Sequence, residues 1–193
     1  MHDSGNESLI EFRFHGRGGQ GAKTAAQVLA EAALKEGRFI QAFPEYGPER
    51  TGAPIRAFAR ISTKAILTYQ PILSPDYLIV IDSTLLANPS VIQGTTENTT
   101  LIINSDSPED EIRSRIPEFQ GKIFAVNASE IALGKIKMDK SNIPMLGALA
   151  KVSKAVSIDS LKDSVYSHFA QKSEELAESN VSALEEAYNK VNA

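Results

Sequence analysis

The glycine run between an apolar segment and an alanine-rich one constrains this chain more than any other feature. From His15 to Gly21, four of seven residues are glycine. Before them, Leu9 to Phe14 is a short apolar run with partial alternation, which reads as a buried strand. After them, apolar positions recur at Ala25, Val28, Leu29 and Ala32, the spacing of one helix face, until Gly37 ends the run. Most of that face is alanine, so the helix can lie close to a sheet. Arg38 to Phe43 reads as the next strand. Strand, glycine loop, helix and strand form a βαβ unit, for which a right-handed parallel crossover is expected.

The rest of the chain continues in kind. Pro44 to Pro54 breaks all periodicity with three prolines and two glycines, yet is dense in polar side chains, and reads as an ordered surface loop. Ile55 to Ile61 resumes as a strand, with Ala65 to Tyr69 as its expected hairpin partner. Tyr77 to Ile81, Thr99 to Ile103 and Lys122 to Val126 are the continuous apolar runs of buried parallel strands. Ser107 is the expected cap of a short helix, with Pro108 in its first turn and acids behind. Ala128–Lys137, Pro144–Ala155 and Ile158–Phe169 read as helices. A last amphipathic helix from Ser173 carries Ala177, Val181, Leu184, Tyr188 and Val191 on one stripe. The expected fold class is α/β: a three-layer α/β/α sandwich around a mainly parallel or mixed sheet, with residues 1–193 as a single domain.

Composition excludes several functions. The 193 residues carry 20 basic and 24 acidic side chains, a net charge of −4, which argues against a nucleic-acid partner. No window approaches the ~18 apolar residues of a membrane span, and Met1 to Glu7 has no apolar signal core, so the expected location is the cytoplasm. With no cysteine, the chain cannot ligate a conventional iron–sulfur cluster, form a disulfide or use a thiol nucleophile. His2, His15 and His168 share no ligand spacing, so no bound metal is expected.

Two loops carry the binding chemistry. Gly16, Gly18 and Gly21 fit G-x-G-x-x-G between a strand and a helix, where glycine lets backbone N–H groups approach an anion. Arg17 adds a candidate phosphate or carboxylate contact. A dinucleotide site also wants an acid closing the second strand; here the strand runs into Phe43 and Pro44, with Glu45 one step late. The bland alternative is that these glycines only pack the helix on its strand and admit another protein surface. In the second loop, Tyr46, Glu49 and Arg50 are binding-type residues on a stretch stiffened by proline. Both loops are expected at the carboxyl ends of the strands, side by side. Met145, Leu146 and Leu149 are expected in the core; Asp82 is expected to cap the next turn, with facing the crevice as the alternative. No G-x-S-x-G elbow, Walker A sequence or zinc signature is present.

Four stretches together resemble one family. Gly16-Arg-Gly-Gly-Gln-Gly-Ala22 before a helix, Phe43-Pro-Glu-Tyr-Gly-Pro-Glu-Arg-Thr-Gly-Ala-Pro54, Val80-Ile-Asp82 and Pro144-Met-Leu-Gly-Ala148 are similar to the gamma subunits of pyruvate:ferredoxin oxidoreductase and of its relatives for other 2-oxoacids. The resemblance spans about residues 9 to 150. It implies a complex that decarboxylates a 2-oxoacid, reduces ferredoxin and forms acyl-coenzyme A, with alpha, beta and delta-type subunits as partners. It further implies that thiamine diphosphate, Mg2+ and iron–sulfur clusters reside on those subunits, and that this chain has no catalytic residue. Gly16, Arg17, Gly18, Gly19, Gln20 and Gly21, with Tyr46, Glu49, Arg50, Thr51 and Gly52, are carried over as candidate coenzyme A or interface contacts. A free-standing nucleotide-binding oxidoreductase of Rossmann type and a pure scaffold are the competing readings.

Overall fold

In the computed structural model, which describes residues 9–45 and 52–192, six strands form one mixed sheet in the order β2-β3-β1-β4-β5-β6. They are β1 Leu9–Arg17, β2 Phe39–Pro44, β3 Pro54–Ser62, β4 Tyr77–Val80, β5 Thr100–Asn104 and β6 Lys122–Val126. Strands β1, β4, β5 and β6 run parallel, whereas β3 is antiparallel to both β1 and β2. The helices are α1 Ala22–Lys35, α2 Glu109–Arg115, α3 Ala128–Lys135, α4 Asn142–Ser153, α5 Ile158–Ala170 and α6 Glu174–Lys190.

The βαβ expectation is half met. Leu9 of β1 and Phe39 of β2 both align with Ser62 of β3, so β1 and β2 do point the same way, but β3 lies between them. Both edges of β3 are therefore taken, by β1 and β2, and Ala65–Tyr69, its expected hairpin partner, forms no strand. Nor does Ser107 cap α2: the cap position is Pro108, without a side-chain hydrogen bond, and Glu109, Asp110 and Glu111 fill the first turn as expected.

The two sheet faces differ in chemistry. On the front face Phe12, Phe14, Ala57, Ala59, Ile61, Ile79 and Ile102 pack beneath α1, α3, α4, α5 and α6. The alanine face of α1 (Ala22, Ala25, Ala26, Ala32 and Ala33, all buried) lets it lie on β1, β2 and β3. Met145, Leu146 and Leu149 of α4 are core residues, at most 1% exposed. On the back face, Leu78, Val80, Leu101, Ile103 and Ile123 are covered by Ile112, Ile116 and Phe119 and by two short 3-10 turns, 83–87 and 89–91. This layer is thin, and stops at β4.

Beyond β4 the back face is cationic. The odd positions of β1, Glu11, Arg13 and His15, lie opposite Arg60, Phe58 and Arg56 of β3. Arg13 is 2% exposed, and its guanidinium donates to the carbonyls of Leu73, Val91 and Gln93 at 2.8–3.0 Å. Arg60 donates to the Gln70 carbonyl and the Glu11 carboxylate, and Gln41 to the Thr68 carbonyl. The connection from Thr63 to Asp76 is thereby tied across the sheet by its carbonyls, with Leu67 and Tyr69 exposed.

Candidate functional site

The glycine loop lies where the chain direction switches, between β1 and β4, at the carboxyl end of both. In an open α/β sheet this is where a crevice forms. Two glycines are demanded by the backbone. Gly19 has φ +96° and Gly21 φ +84°, both left-handed. A Cβ on Gly21 would also lie 2.5 Å from the Asn142 amide nitrogen. Gly21 occupies the N-cap of α1 and, having no side chain, leaves the leading N–H groups of that helix without a side-chain cap.

The expected adjacency of the two loops holds where both are described. The Gly18 N–H donates to the Ala53 carbonyl at 2.8 Å, and the Gly52 N–H to the Gly18 carbonyl at 3.1 Å. Tyr46, Glu49, Arg50 and Thr51 lie outside the described residues. Arg17 is engaged within the chain: Nε donates to Asp82 (2.9 Å), and the terminal nitrogens to the Thr84 hydroxyl (2.8 Å) and the Gly52 carbonyl (3.3 Å). Gln20 closes the loop by accepting from the Arg17 N–H and donating to Asp82. Asp82 also caps the turn 83–87 by accepting from the Thr84 N–H, so it serves cap and crevice together. Burial alone would raise its carboxyl pKa, but hydrogen bonds from Thr84, Gln20 and Arg17 outweigh that and hold it below the usual range. Arg17 is thus a fastener between the strand ends and the second loop.

Two cavities flank the glycine loop, and their charges differ. One, of about 290 Å³ above β4, β5 and β6, is lined among the described residues by Gln20, Asn104, Asp82, Asp106 and Asp139, and by no Lys, Arg or His. The other, of about 270 Å³ on the helical side, is lined among the described residues by Gly19, Gly21 and Thr24 together with Lys140, His168 and Lys172, and by no Asp or Glu. Its floor is apolar, from Ile136, Met138, Phe169 and Leu176. Lys140 already donates to the Gly19 carbonyl at 2.9 Å, and Asn142 to that of Gly21 at 3.3 Å. An anion carrying a flat apolar group fits the second cavity and is repelled by the first.

Sequence reading found the glycine loop and missed this cationic wall. Lys140 stands 121 positions from Gly19, and Lys172 belongs to the link between α5 and α6. No spacing rule connects them; the fold does. Among the described residues, no group of three or more His, Asp and Glu is placed to hold a metal ion.

Glu45 settles the dinucleotide question locally. Its carboxylate receives both Nε and a terminal nitrogen of Arg56, and β2, which it follows, is separated from β1 by β3. In a dinucleotide site the acid closes the strand beside the glycine loop and stays free for a ribose. Neither condition is met.

Comparison with known proteins completes the picture. The family described as pyruvate ferredoxin/flavodoxin oxidoreductase matches residues 11–190. Pyruvate synthase subunit PorC of Thermotoga maritima is 44% identical over 186 residues, covering 96% of each chain. The pyruvate/ketoisovalerate oxidoreductases common subunit gamma of Thermococcus kodakarensis is 42% identical, covering 94% of this chain and 97% of its own. The crystal structure of pyruvate oxidoreductase subunit PORC from Thermotoga maritima superposes with a TM-score of 0.85 at 42% identity, covering 95% of this chain and 97% of that one.

Proposed function

Because the chain belongs to the pyruvate ferredoxin/flavodoxin oxidoreductase family, we propose that the cationic cavity beside its glycine loop is its share of the coenzyme A site in a 2-oxoacid:ferredoxin oxidoreductase. The chain is the gamma subunit of such a multi-subunit enzyme, and the free-standing Rossmann-type alternative has no support. Pyruvate is the proposed 2-oxoacid, since the relatives are named for it. Alpha, beta and delta-type subunits and, through them, ferredoxin are the proposed partners, with thiamine diphosphate, Mg2+ and the clusters on those subunits. The assembly is proposed to be cytoplasmic; no helix among the described residues is long and apolar enough to cross a membrane.

One observation carries the coenzyme A assignment: among the described residues, the cavity on the helical side of the glycine loop is lined by Lys140 and Lys172, and the one above β4, β5 and β6 by Asp82, Asp106 and Asp139. Coenzyme A combines phosphates with a flat adenine. Lys140, Lys172 and the leading N–H groups of α1 would hold the charge, and Met138 and Phe169 the ring. Gly16 through Gly21, Tyr46, Glu49, Arg50, Thr51 and Gly52 remain the proposed loop contacts, with Arg17 acting through position.

The test uses the assembled oxidoreductase. Replacing Arg17 would unfasten the strand ends, so the cleaner change is K140Q with K172Q. The expected result is a KM for coenzyme A raised about tenfold, the equivalent of about 1.4 kcal/mol, with the KM for the 2-oxoacid unchanged. An unchanged coenzyme A KM in a fully assembled complex would leave the chain as scaffold alone.

A further inference from the structure

The sheet ends on β6, whose outer edge is unpaired among the described residues. The Ser105 N–H donates to the Val126 carbonyl across the β5 side. N–H and C=O groups alternate between the two edges of a strand. Val126, Phe124 and Lys122 therefore face β5, and Ile123 and Ala125 turn both of their backbone groups outward. Most exposed edges are blunted by charge or proline. This one carries a single charge, Lys122, followed by Ile123, Phe124, Ala125 and Val126.

A groove of about 540 Å³ runs along that edge. The segment Ser105–Glu109 forms one wall, Glu130 and Ile131 with Lys190 the other, and Ile123 to Val126 the floor. Five residues of strand span roughly 16 Å, and walls on both faces leave room for one extended segment. The rim is acidic, with Asp106, Glu109 and Glu130 against Lys190, which is itself paired with Glu186.

We propose that β6 is a strand-addition site for an extended segment from another subunit of the oxidoreductase, apolar at its centre and basic at its flanks. Backbone hydrogen bonds to Ile123 and Ala125 supply the register, and the acidic rim selects the basic flanks. A second copy of this chain is a poorer occupant, because its own β6 carries a base, Lys122, at one flank only and Asn127 at the other. The groove is continuous with the acidic cavity above β5 and β6, sharing Ser105, Asp106 and Asn127 with it. The inserted segment therefore ends at the same rim as the glycine loop. The proposal rests on the gamma-subunit reading, because the occupant is one of the enzyme's own subunits.

Amide hydrogen exchange on the wild-type chain, alone and in the assembled complex, reads the edge directly. Ile123 and Ala125 should exchange freely in the isolated chain and at least about tenfold more slowly in the complex. A125P removes one outward N–H from an edge position that tolerates proline; with unchanged thermal melting of the isolated chain, it should lower partner retention about tenfold. Assembly with unprotected Ile123 and Ala125 would overturn the proposal, and so would full retention of partners by A125P. A concentration-dependent dimer of the isolated chain that A125P abolishes would also overturn it, by making the occupant a second copy. Should the wild-type chain retain no larger subunit at all, the gamma-subunit reading fails first and takes the proposal with it.

Discussion

His15 is the residue whose chemistry the fold changes most. It is 5% exposed, its Nε2 is buried with no hydrogen-bond partner, and it lies opposite Arg56 and two positions from Arg13. Burial lowers its pKa first, and the charges of Arg13 and Arg56 lower it further, to about 3. In the unfolded chain a histidine takes up its proton near pH 6.5, roughly. Below that value the unfolded state binds a proton that the folded state refuses, so stability falls as the pH falls and levels off only below about 3. Above about pH 6.5 both states are neutral and the term vanishes. Between about pH 6.5 and 5 few carboxylates titrate, and the slope should approach about 1.4 kcal/mol per pH unit. Urea unfolding at half-unit pH steps measures it. H15Q should be flat across the same window, and a flat wild-type curve would mean that the imidazole is not held neutral.

At the scale of elements, the connection from Thr63 to Asp76 is the clearest case of structure made by a side chain. Arg13 enters from β1 and holds the carbonyls of Leu73, Val91 and Gln93; its pKa is lowered to about 10 by burial and then by Arg56, against a smaller opposing pull from Glu45. Removing a buried charge can be neutral where both partners are replaced by apolar groups. Here the partners are carbonyls that stay behind, at ~1–3 kcal/mol for each one left unpaired. R13M should therefore cost about 3 kcal/mol in denaturant unfolding and speed amide exchange over Thr68–Leu73. A cost under about 1 kcal/mol would mean that water replaces the guanidinium. This connection also marks the limit of what the chain discloses before folding. Ala65 to Tyr69 has strand-like composition, but the outer edge of β3 goes to β2, which α1 delivers from the other side of the molecule. Adjacency in a sheet is a contest among segments, and only the winners' patterns are local. The runs for β1, β4, β5 and β6 were legible because each is buried on its own account. The glycine loop was legible for the same reason: its φ angles are local demands. The polar positions 11, 13, 15 and 17 alternate in the sequence, but nothing local there points to the loop that Arg13 holds, and Lys140 and Lys172 have no local signature at all.

For the whole molecule, the question the sequence leaves open is whether α6 is an appendage or part of the core. Its Ala177, Ala183, Leu184 and Ala187 are fully buried, Val191 is 4% exposed, and they pack chiefly on α4 and α5. The stripe is thus wider than the one expected from Ala177, Val181, Leu184, Tyr188 and Val191, and Asn180 lies inside it. Helices α4 and α6 approach at backbone distance: a Cβ on Gly147 would stand 2.0 Å from the Leu184 carbonyl oxygen. Lys135 and Lys162 pair with Glu186 and Glu185, tying α6 to α3 and α5 as well. Helix α4 is buried without a break from Asn142 to Ala150, so without α6 it has an apolar side in water. Each large apolar side chain re-exposed costs about 1.5–3 kcal/mol, and a domain holds only about 5–15 kcal/mol in all. Deleting residues 173–193 should therefore abolish the cooperative thermal transition and leave the chain insoluble on expression. A soluble truncated chain with a sharp melt would make α6 a docking arm. It would also loosen the cationic cavity, because Leu176 and Asn180 line it alongside Lys140 and His168. The helix that closes the core is also a wall of the candidate coenzyme A site, so loss of fold and loss of binding should arrive together.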